Sequence, residues 1–406
     1  MPNYTIPCLL YSAIRWESLK LFYFCAIIPL FFARGGSVGP ESQAGFFCTN
    51  ISKSDKYGCD RKTEKLRLFI VGDIGGQEHN GEHSPTDGQQ SVAKLMGELA
   101  TKNGLNLVLN LGDNFYENGV TEKDVEKRFN TNFLEVFGTV GSETVPWYTI
   151  AGNRDYKANG ANISPQIEKT AGKWTFPAPY YAIHYNFGKA RAAVRVRFVM
   201  IDTVILCGQN RKAFREMKGS AGEKVKASKK HFEWLTEQLH LAEKERVDFL
   251  FVAGHYPLYL TDGDRSFTCA KRLQELLLQH RVSAYFSGHE HNLKHLSIEG
   301  DVPRIVSGAG SRMESATYEN HVPEQFGKLL RFGYPDSIKV KQNGKIVEDK
   351  YIGGGFVAME IDEKTMEADI KFYAAGHIYP TKEKFSPNSK NEFEYTVKLQ
   401  KRAKNF

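Results

Sequence analysis

The chain has 406 residues, of which 41% are hydrophobic and 12% aromatic, and its formal net charge is +7. This length allows about two to three domains, or one α/β domain of roughly 300 residues with a large core. The basic residues are not clustered with stacking aromatics, which argues against nucleic-acid binding. A mildly basic surface would help to attract small anionic ligands.

Residues 1–37 predict a signal peptide or an uncleaved signal anchor. Arg15 and Lys20 precede a short apolar segment, residues 21–33, which Pro29 interrupts. This segment is short for a membrane span, which needs about 20 residues. Either outcome places the rest of the chain in the secretory pathway, where it would be secreted or lysosomal. Membrane attachment is expected only if the apolar segment is retained.

Six cysteines fit an oxidising compartment, and two of them lie in the leader. The other four allow three disulfide pairings, and they are Cys48, Cys59, Cys207 and Cys269. A Cys48–Cys59 bond would close a short loop in the lead-in segment 38–64. Asn50 begins the glycosylation sequon Asn-Ile-Ser in the same segment.

Five apolar runs predict buried strands, and each is followed by Gly and then by a potential metal ligand. The runs are Leu68–Val71, Leu105–Leu111, Trp147–Ala151, Phe249–Ala253 and Ala284–Ser287. The residues that follow them are Asp73, Asp113, Asn153, His255, and finally His289 with His291. Oxygen and imidazole donors at the carboxyl ends of several strands predict a metal site at that edge of a sheet.

The order and type of these donors favour a pair of ions. Two ions about 3.5–4 Å apart need a bridging carboxylate, and Asp113 is central in the order of ligands. In an extended segment His289 and His291 point to the same side, so each can reach a different ion. Tyr116 follows Asp113 by three residues. A phenolate is a hard anionic donor that suits Fe(III) better than Zn(II) or Mg(II).

Strands and helices alternate from residue 65 to residue 375, which predicts one layered α/β domain. Three stripes at helical spacing predict core-facing helices: Val92, Leu95, Met96 and Leu99; Phe232, Leu235, Leu239 and Ala242; and Leu273, Leu276 and Leu277. The polar segment 208–230 predicts an exposed, protease-sensitive loop. Segment 334–350 predicts an inserted hairpin and precedes a late β pair. Residues 376–406 form a basic tail, and the part after Pro380 is expected to be weakly structured.

The five blocks GDIGG, GDNFY, GNRDY, GHYP and GHEHN appear in this order, and together they resemble the mammalian-type purple acid phosphatases. That group belongs to the calcineurin-like metallophosphoesterases, and the resemblance runs from about Leu66 to Phe372. Further local matches include the block Ser307–Gly310. The resemblance implies an α/β sandwich of two mixed β-sheets flanked by α-helices. It also implies a Cys207–Cys269 disulfide, and we expect a monomer.

Transferred residue by residue, the resemblance implies a dimetal acid phosphatase. Fe(III) would be held by Asp73, Tyr116 and His291. The second ion, which could be Fe(II), Zn(II) or Mn(II), would be held by Asn153, His255 and His289, with Asp113 bridging. The implied reaction is hydrolysis of phosphate monoesters, either small molecules or phosphoproteins, by in-line attack of a metal-bound hydroxide at acidic pH. Iron bound to tyrosinate would colour the protein purple.

Two family histidines are replaced, and both are candidate proton donors. Arg154 stands where the third block has His, and Asp264 stands nine residues after His255, where a second family His is expected. In one interpretation Arg154 binds phosphate and Asp264 acts as the acid. In another, His79 or His83 supplies the proton. In a third, turnover is slow, because proton transfer contributes about 10²–10⁴-fold.

These replacements leave two other functions open. One is a metal-loaded pseudo-phosphatase that acts as a binding or scaffold protein. The other is redox chemistry at an iron pair that generates oxygen radicals. Turnover of an activated aryl phosphate would argue against the scaffold, and peroxide-dependent oxidation without phosphatase activity would indicate the redox function.

Overall fold

The computed structural model describes residues 55–60, 63–157, 163–169, 172–189, 193–207, 219–258, 268–314, 328–335, 339–342, 345–348, 350–379 and 392–403. The leader, the Cys48–Cys59 pairing, Asn50, segment 208–218 and Asp264 lie outside these described residues. Within them, no helix is both long and apolar enough to cross a bilayer. All described elements belong to one compact unit, Cys48–Phe406.

Two large mixed sheets form the centre of the molecule. The seven-stranded sheet has the order β19-β18-β17-β2-β5-β6-β7. Its strands are β2 Lys65–Val71, β5 Leu107–Asn110, β6 Trp147–Thr149, β7 Trp174–Thr175, β17 Lys350–Asp362, β18 Glu367–Tyr379 and β19 Glu392–Gln400. The four strands from β2 to β7 are parallel, whereas β17, β18 and β19 join them as an antiparallel ribbon.

The eight-stranded sheet has the order β1-β8-β9-β10-β11-β13-β12-β14. Its strands are β1 Asp55–Asp60, β8 Tyr181–Phe187, β9 Val194–Met200, β10 Phe249–Ala253, β11 Ala284–Ser287, β12 Leu293–Leu296, β13 Arg304–Ser307 and β14 Leu330–Tyr334. Its centre, from β9 to β13, is parallel. Every residue of β10 and β11 is buried, as expected for parallel strands covered on both faces.

Helices cover the outer faces of this sandwich. They are α1 Asp87–Asn103, α2 Val125–Phe129, a π turn Asn130–Leu134, α3 Glu135–Phe137, a 3₁₀ turn Arg154–Tyr156, α4 Ser164–Glu168, α5 Thr203–Leu206, α6 Ala221–Lys244 and α7 Thr268–Gln279. The three predicted stripes lie on α1, α6 and α7, and their residues face the core. The predicted α/β sandwich of two mixed sheets flanked by helices is therefore confirmed.

The prediction of one exposed loop over residues 208–230 is wrong for its second half. Helix α6 begins at Ala221, because Ser220 and Glu223 form a reciprocal capping box at its N-terminus. Such a cap satisfies two backbone N–H groups that the first helical turn leaves free. The predicted Cys207–Cys269 disulfide is confirmed, and it links the end of α5 to the first turn of α7.

The C-terminal segments are more ordered than the sequence suggests. The predicted hairpin is present, with β15 Lys339–Gln342 paired antiparallel to β16 Lys345–Glu348. The prediction of weak structure after Pro380 is wrong for β19, which pairs with β18 along nearly its whole length. The alternation of polar and apolar residues in β19 gives one buried face, on which Val397 and Leu399 lie. A short hairpin of β3 Gln77–His79 and β4 Glu82–Ser84 follows β2.

Candidate metal centre

All seven predicted metal ligands lie where the two sheets meet at their carboxyl edges. Strands β2, β5 and β6 lead to Asp73, Asp113 and Asn153 on the side of the seven-stranded sheet. Strands β10 and β11 lead to His255 and His289 on the side of the eight-stranded sheet. Tyr116 follows β5, and His291 precedes β12. Chain segments far apart in sequence thus converge on one site.

The backbone is strained at three of these positions. Asp73, Asp113 and His289 have positive φ angles of 60°, 53° and 67°. Residues with a Cβ rarely adopt this left-handed region, although Asp and His do so more often than most. Such strain is concentrated at functional sites, where the surrounding structure holds it in place.

Two glycines allow the turns to approach one another closely. Gly112 has a φ of 91°, and a Cβ there would lie 2.4 Å from the backbone nitrogen of Gly152. A Cβ on Gly152 would lie 2.3 Å from Oδ1 of Asp113. Only glycine fits at these two positions. The Gly that precedes each ligand in the sequence therefore allows the ligand-bearing turns to approach one another closely.

The first group of donors comprises Asp73, Tyr116 and His291. The Tyr116 hydroxyl lies 2.9 Å from Oδ1 of Asp73 and 3.0 Å from Nε2 of His291. The third side of the triangle, from His291 Nε2 to Asp73 Oδ1, measures 3.5 Å. Asp73 and Tyr116 are fully buried. We name this group the anionic triad, because it contains a carboxylate and a phenol.

The second group comprises Asn153, His255 and His289. Oδ1 of Asn153 lies 3.0 Å from Nε2 of His255 and 3.0 Å from Nδ1 of His289. The two imidazole nitrogens are 3.3 Å apart. All three side chains are neutral in their ordinary metal-binding forms, so we name this group the neutral triad.

Asp113 lies between the two triads. Its Oδ1 is 3.4 Å from Nε2 of His255 in the neutral triad. Carboxylate oxygens of Asp113 and Asp73 and a ring nitrogen of His255 all lie within 4.8 Å of one another. Asp113 also accepts a 2.7 Å hydrogen bond from the backbone N–H of Arg154. Its position suits the bridging role predicted from the order of ligands.

The donor geometry fits metal ions in both triads. Neighbouring ligands at about 2.1 Å from an octahedral ion lie about 3 Å apart, which is close to the sides of both triangles. Nδ1 of His255 donates to the carbonyl oxygen of Leu111 at 2.9 Å, so in the neutral ring the lone pair of Nε2 points toward Asn153 Oδ1. Two lone pairs that face one another in a buried site need a proton or a metal ion between them.

The electrostatics of the anionic triad also favour a cation. Burial raises the pKa of Tyr116 well above its usual value, and the charges of Asp73 and Asp113 raise it further. The guanidinium of Arg312 opposes this rise without offsetting it, so the phenol would ionise only with a further cation at its oxygen. Burial raises the pKa of Asp113 as well. A multivalent ion would reverse both effects.

Outer hydrogen bonds orient the candidate ligands. Nδ1 of His291 bonds Oε1 of Glu314 at 2.8 Å, and the backbone N–H of His289 donates to Oδ2 of Asp73 at 2.8 Å. Asp155, which the sequence suggests as an orienting residue, accepts from the backbone N–H groups of Gly152 and Asn114. Burial, followed by the charge of Asp113, raises the pKa of Asp155 to about 7. Partners of this kind fix the orientation of metal ligands.

Three charged residues at the site were missed by sequence reasoning. Glu117 pairs with both Arg154 and Arg312, and Glu314 pairs with His291. Arg312 lies just after the Ser307–Gly310 block, and this position was the one available signal for it. No pattern distinguished Glu117 or Glu314 from ordinary surface residues.

The alternative proton donors are not all placed at the site. Nε2 of His83 bonds Nη1 of Arg128 at 3.2 Å, and His79 is exposed on the β3–β4 hairpin. Burial lowers the pKa of His83. Arg154 is at the site, where its backbone contacts Asp113 and its side chain contacts Glu117.

Comparisons with known proteins agree with this arrangement. The model of the calcineurin-like phosphoesterase family matches residues 66–293. The chain is 35% identical to tartrate-resistant acid phosphatase type 5 of Homo sapiens over 76% of its own length and 87% of that protein. It is 26% identical to purple acid phosphatase 3 of Arabidopsis thaliana over 78% of this chain and 77% of that one.

A solved structure shares the fold at lower sequence identity. It is GAP50, described as the anchor in the inner membrane complex of Plasmodium, with a TM-score of 0.60 and 22% identity. The match covers 84% of this chain and 90% of that one, and at this identity it shows the fold alone. With the family model covering more than half of the sequence, and with purple acid phosphatases among its relatives, the chain belongs to the calcineurin-like metallophosphoesterases.

Proposed function

We propose that the protein is a dimetal acid phosphatase that hydrolyses phosphate monoesters. The observation that carries the proposal is the convergence of two donor triads, with sides between 2.9 and 3.5 Å, on either side of Asp113. Its relatives in Homo sapiens and Arabidopsis thaliana are acid phosphatases by name. The complete set of donors supports catalysis over the scaffold alternative, although Arg154 stands where the family pattern has a histidine.

The two triads suit different ions. A carboxylate and a phenolate are hard anionic donors, so we assign Fe(III) to Asp73, Tyr116 and His291. Imidazole and amide donors suit Fe(II), Zn(II) or Mn(II), so we assign a divalent ion to Asn153, His255 and His289. When bound, such a pair supplies Lewis acidity and an activated water for attack at phosphorus.

The protein's own groups hold the substrate and deliver the proton. Arg154 presents its guanidinium beside the site and can hold phosphate oxygens with two N–H donors. It cannot act as the acid, because a guanidinium does not lose its proton near neutral pH. We therefore assign proton delivery to Asp264. If Asp264 does not supply the proton, esters with poor leaving groups should be hydrolysed slowly.

Steady-state kinetics tests the proposal. The metal-loaded protein should hydrolyse 4-nitrophenyl phosphate between pH 4 and pH 8, and Asn153→Ala should abolish this turnover. An alkyl phosphate tests proton delivery separately, because its alcohol needs protonation to leave. Hydrolysis of neither ester by protein with two bound ions would reject the phosphatase in favour of a binding protein.

The disulfide supports an oxidising compartment. Cys207–Cys269 joins residues 62 positions apart, and such bonds persist mainly in oxidising compartments. Together with the predicted leader, this supports secretion or residence in a lysosome. Phosphomonoesters available there, as small molecules or phosphoproteins, are the proposed substrates.

A further inference from the structure

We propose that Arg312 and the Nη1 group of Arg154 form a subsite for a second anionic group of the substrate, and that Glu117 occupies this subsite in the free protein. The remaining N–H donors of Arg154 stay available for the scissile phosphate. The inference rests on the proposed phosphatase function and names the substrate class: phosphate esters that carry another carboxylate or phosphoryl group near the scissile phosphate. The second anionic group would contact the two arginines and no donor atom of the metal triads.

The two arginines converge on one carboxylate. Nη1 of Arg154 lies 2.6 Å from Oε2 of Glu117, and Nη1 of Arg312 lies 3.4 Å from Oε1 of the same residue. Both guanidinium groups also lie over the ring of Tyr116, at 5.9 Å and 4.5 Å from its centre. The arginines are therefore held beside the anionic triad rather than spread over the surface.

The subsite is accessible to solvent and hence to a ligand. The side chains of Arg154, Glu117 and Arg312 are 31%, 35% and 33% exposed. The Nε of Arg312 lies 3.2 Å from Nδ1 of His291, whose own N–H is directed at Glu314, so this is a packing contact. The guanidinium is oriented by the Tyr116 ring and by the Glu117 carboxylate.

Glu117 shows what kind of ligand the subsite takes. Two guanidinium groups that share the two oxygens of one carboxylate match the geometry of a carboxylate or phosphoryl group from outside. The Arg154–Glu117 and Arg312–Glu117 pairs are partly exposed, so each contributes modestly to stability and can exchange partners. A substrate anion would replace Glu117, and the side chain of Glu117 could then turn to solvent.

The neighbouring charges fit this exchange. Glu314 is another carboxylate close to Arg312, and its Oε1 pairs with Nδ1 of His291 at 2.8 Å. Glu314 therefore has its own partner and does not compete for both guanidinium groups. A neutral leaving group would gain nothing from the two arginines, whereas an anionic one would gain two charge-assisted contacts.

Binding of two non-hydrolysable anions tests the subsite without any need for turnover. Methylphosphonate carries one anionic group, and phosphonoacetate carries a second one on the same carbon. Isothermal titration of the metal-loaded protein should show phosphonoacetate binding about tenfold more tightly than methylphosphonate. Glu117→Gln should increase this preference several-fold, because the internal competitor loses its charge while both arginines remain.

Arg312→Gln should reduce the preference for phosphonoacetate to about twofold or less, with methylphosphonate affinity nearly unchanged. The matched control is Arg67→Gln, since Arg67 forms a similar half-exposed pair with Glu360, with 2.7 Å between N and O, on β2 away from the triads. That variant should keep the wild-type preference.

An unchanged preference in Arg312→Gln, or a preference that does not rise in Glu117→Gln, would overturn the subsite. Failure of the proposed function looks different: the metal-loaded protein would then leave 4-nitrophenyl phosphate intact while still distinguishing the two phosphonates.

Discussion

The anionic and neutral triads have nearly the same shape but opposite chemistry. Each places three donor atoms about 3 Å apart, and each orients a histidine through its second ring nitrogen. In the anionic triad that nitrogen faces the carboxylate of Glu314, whereas in the neutral triad it faces the carbonyl oxygen of Leu111. Charge, rather than geometry, therefore distinguishes the two triads, and under the proposed function this difference in charge would select a different ion for each.

The largest expected effect comes from removing a ligand of the neutral triad. His255→Ala should lower turnover of 4-nitrophenyl phosphate by about 10³-fold or more, because the second ion contributes several kcal/mol to the transition state. The purple colour should remain, since the anionic triad is intact. Metal analysis with absorption spectroscopy measures both results.

His295→Ala provides the control for this variant. His295 is another buried imidazole of the eight-stranded sheet, and its Nδ1 bonds the hydroxyl of Tyr395 rather than a triad residue. The variant should keep both ions and near-normal turnover. Loss of colour together with activity in His255→Ala would show that the triads are not independent.

Removing the Tyr116 hydroxyl should affect the anionic triad and leave the neutral triad intact. Tyr116→Phe should abolish the visible band and weaken Fe(III) binding by more than the roughly 10–100-fold expected for an outer hydrogen bond. The divalent ion should be retained. Tyr148→Phe is the control, because Tyr148 is a buried tyrosine of β6 outside both triads. A visible band that survives Tyr116→Phe would contradict the assignment.

A smaller effect is expected from the residue that orients His291. Glu314→Gln should weaken Fe(III) binding by about 10–100-fold while leaving the affinity of the neutral triad unchanged. The physical reason is that the amide no longer offers a carboxylate to the Nδ1–H of His291. Competition with a graded series of chelators measures the two affinities. Equal weakening at both triads would contradict their separation.

The smallest effect is expected at Arg154. Arg154→His restores the imidazole that the family pattern has there, and it should raise turnover of an alkyl phosphate by about tenfold through proton donation. Turnover of 4-nitrophenyl phosphate should change less, because its leaving group needs little protonation. A fall for both esters would show that phosphate binding by Arg154 matters more than an additional proton donor at this position.

Much of the site could be predicted from the sequence, because its ligands directly follow strands. The order strand, Gly, ligand identifies Asp73, Asn153 and His255 individually, since the strand end fixes where the next side chain goes. The apolar stripes of α1, α6 and α7 were predictable for a similar reason, because each depends only on residue spacing within one helix. The pairing of Glu117 with Arg312 could not be predicted, because it joins segments 195 positions apart and depends on how the loops pack.

The two wrong predictions, for segment 221–230 and for strand β19, have the same cause. Segment 221–230 is polar and basic, and only the Ser220–Glu223 capping box and the packing of the following turns make it helical. Strand β19 alternates apolar and polar residues from Phe393 to Leu399, a pattern typical of a strand, and it pairs with β18. Each segment thus carried a local signal, the capping box in one and the alternation in the other, which its polar composition obscured.

The most direct test of the two-triad account is metal analysis of the purified, reconstituted protein alongside its absorption spectrum. The account predicts two ions per chain in the wild type, one ion with the visible band in His255→Ala, and no band in Tyr116→Phe. One ion per chain or fewer in the wild type after reconstitution with iron and zinc would contradict it.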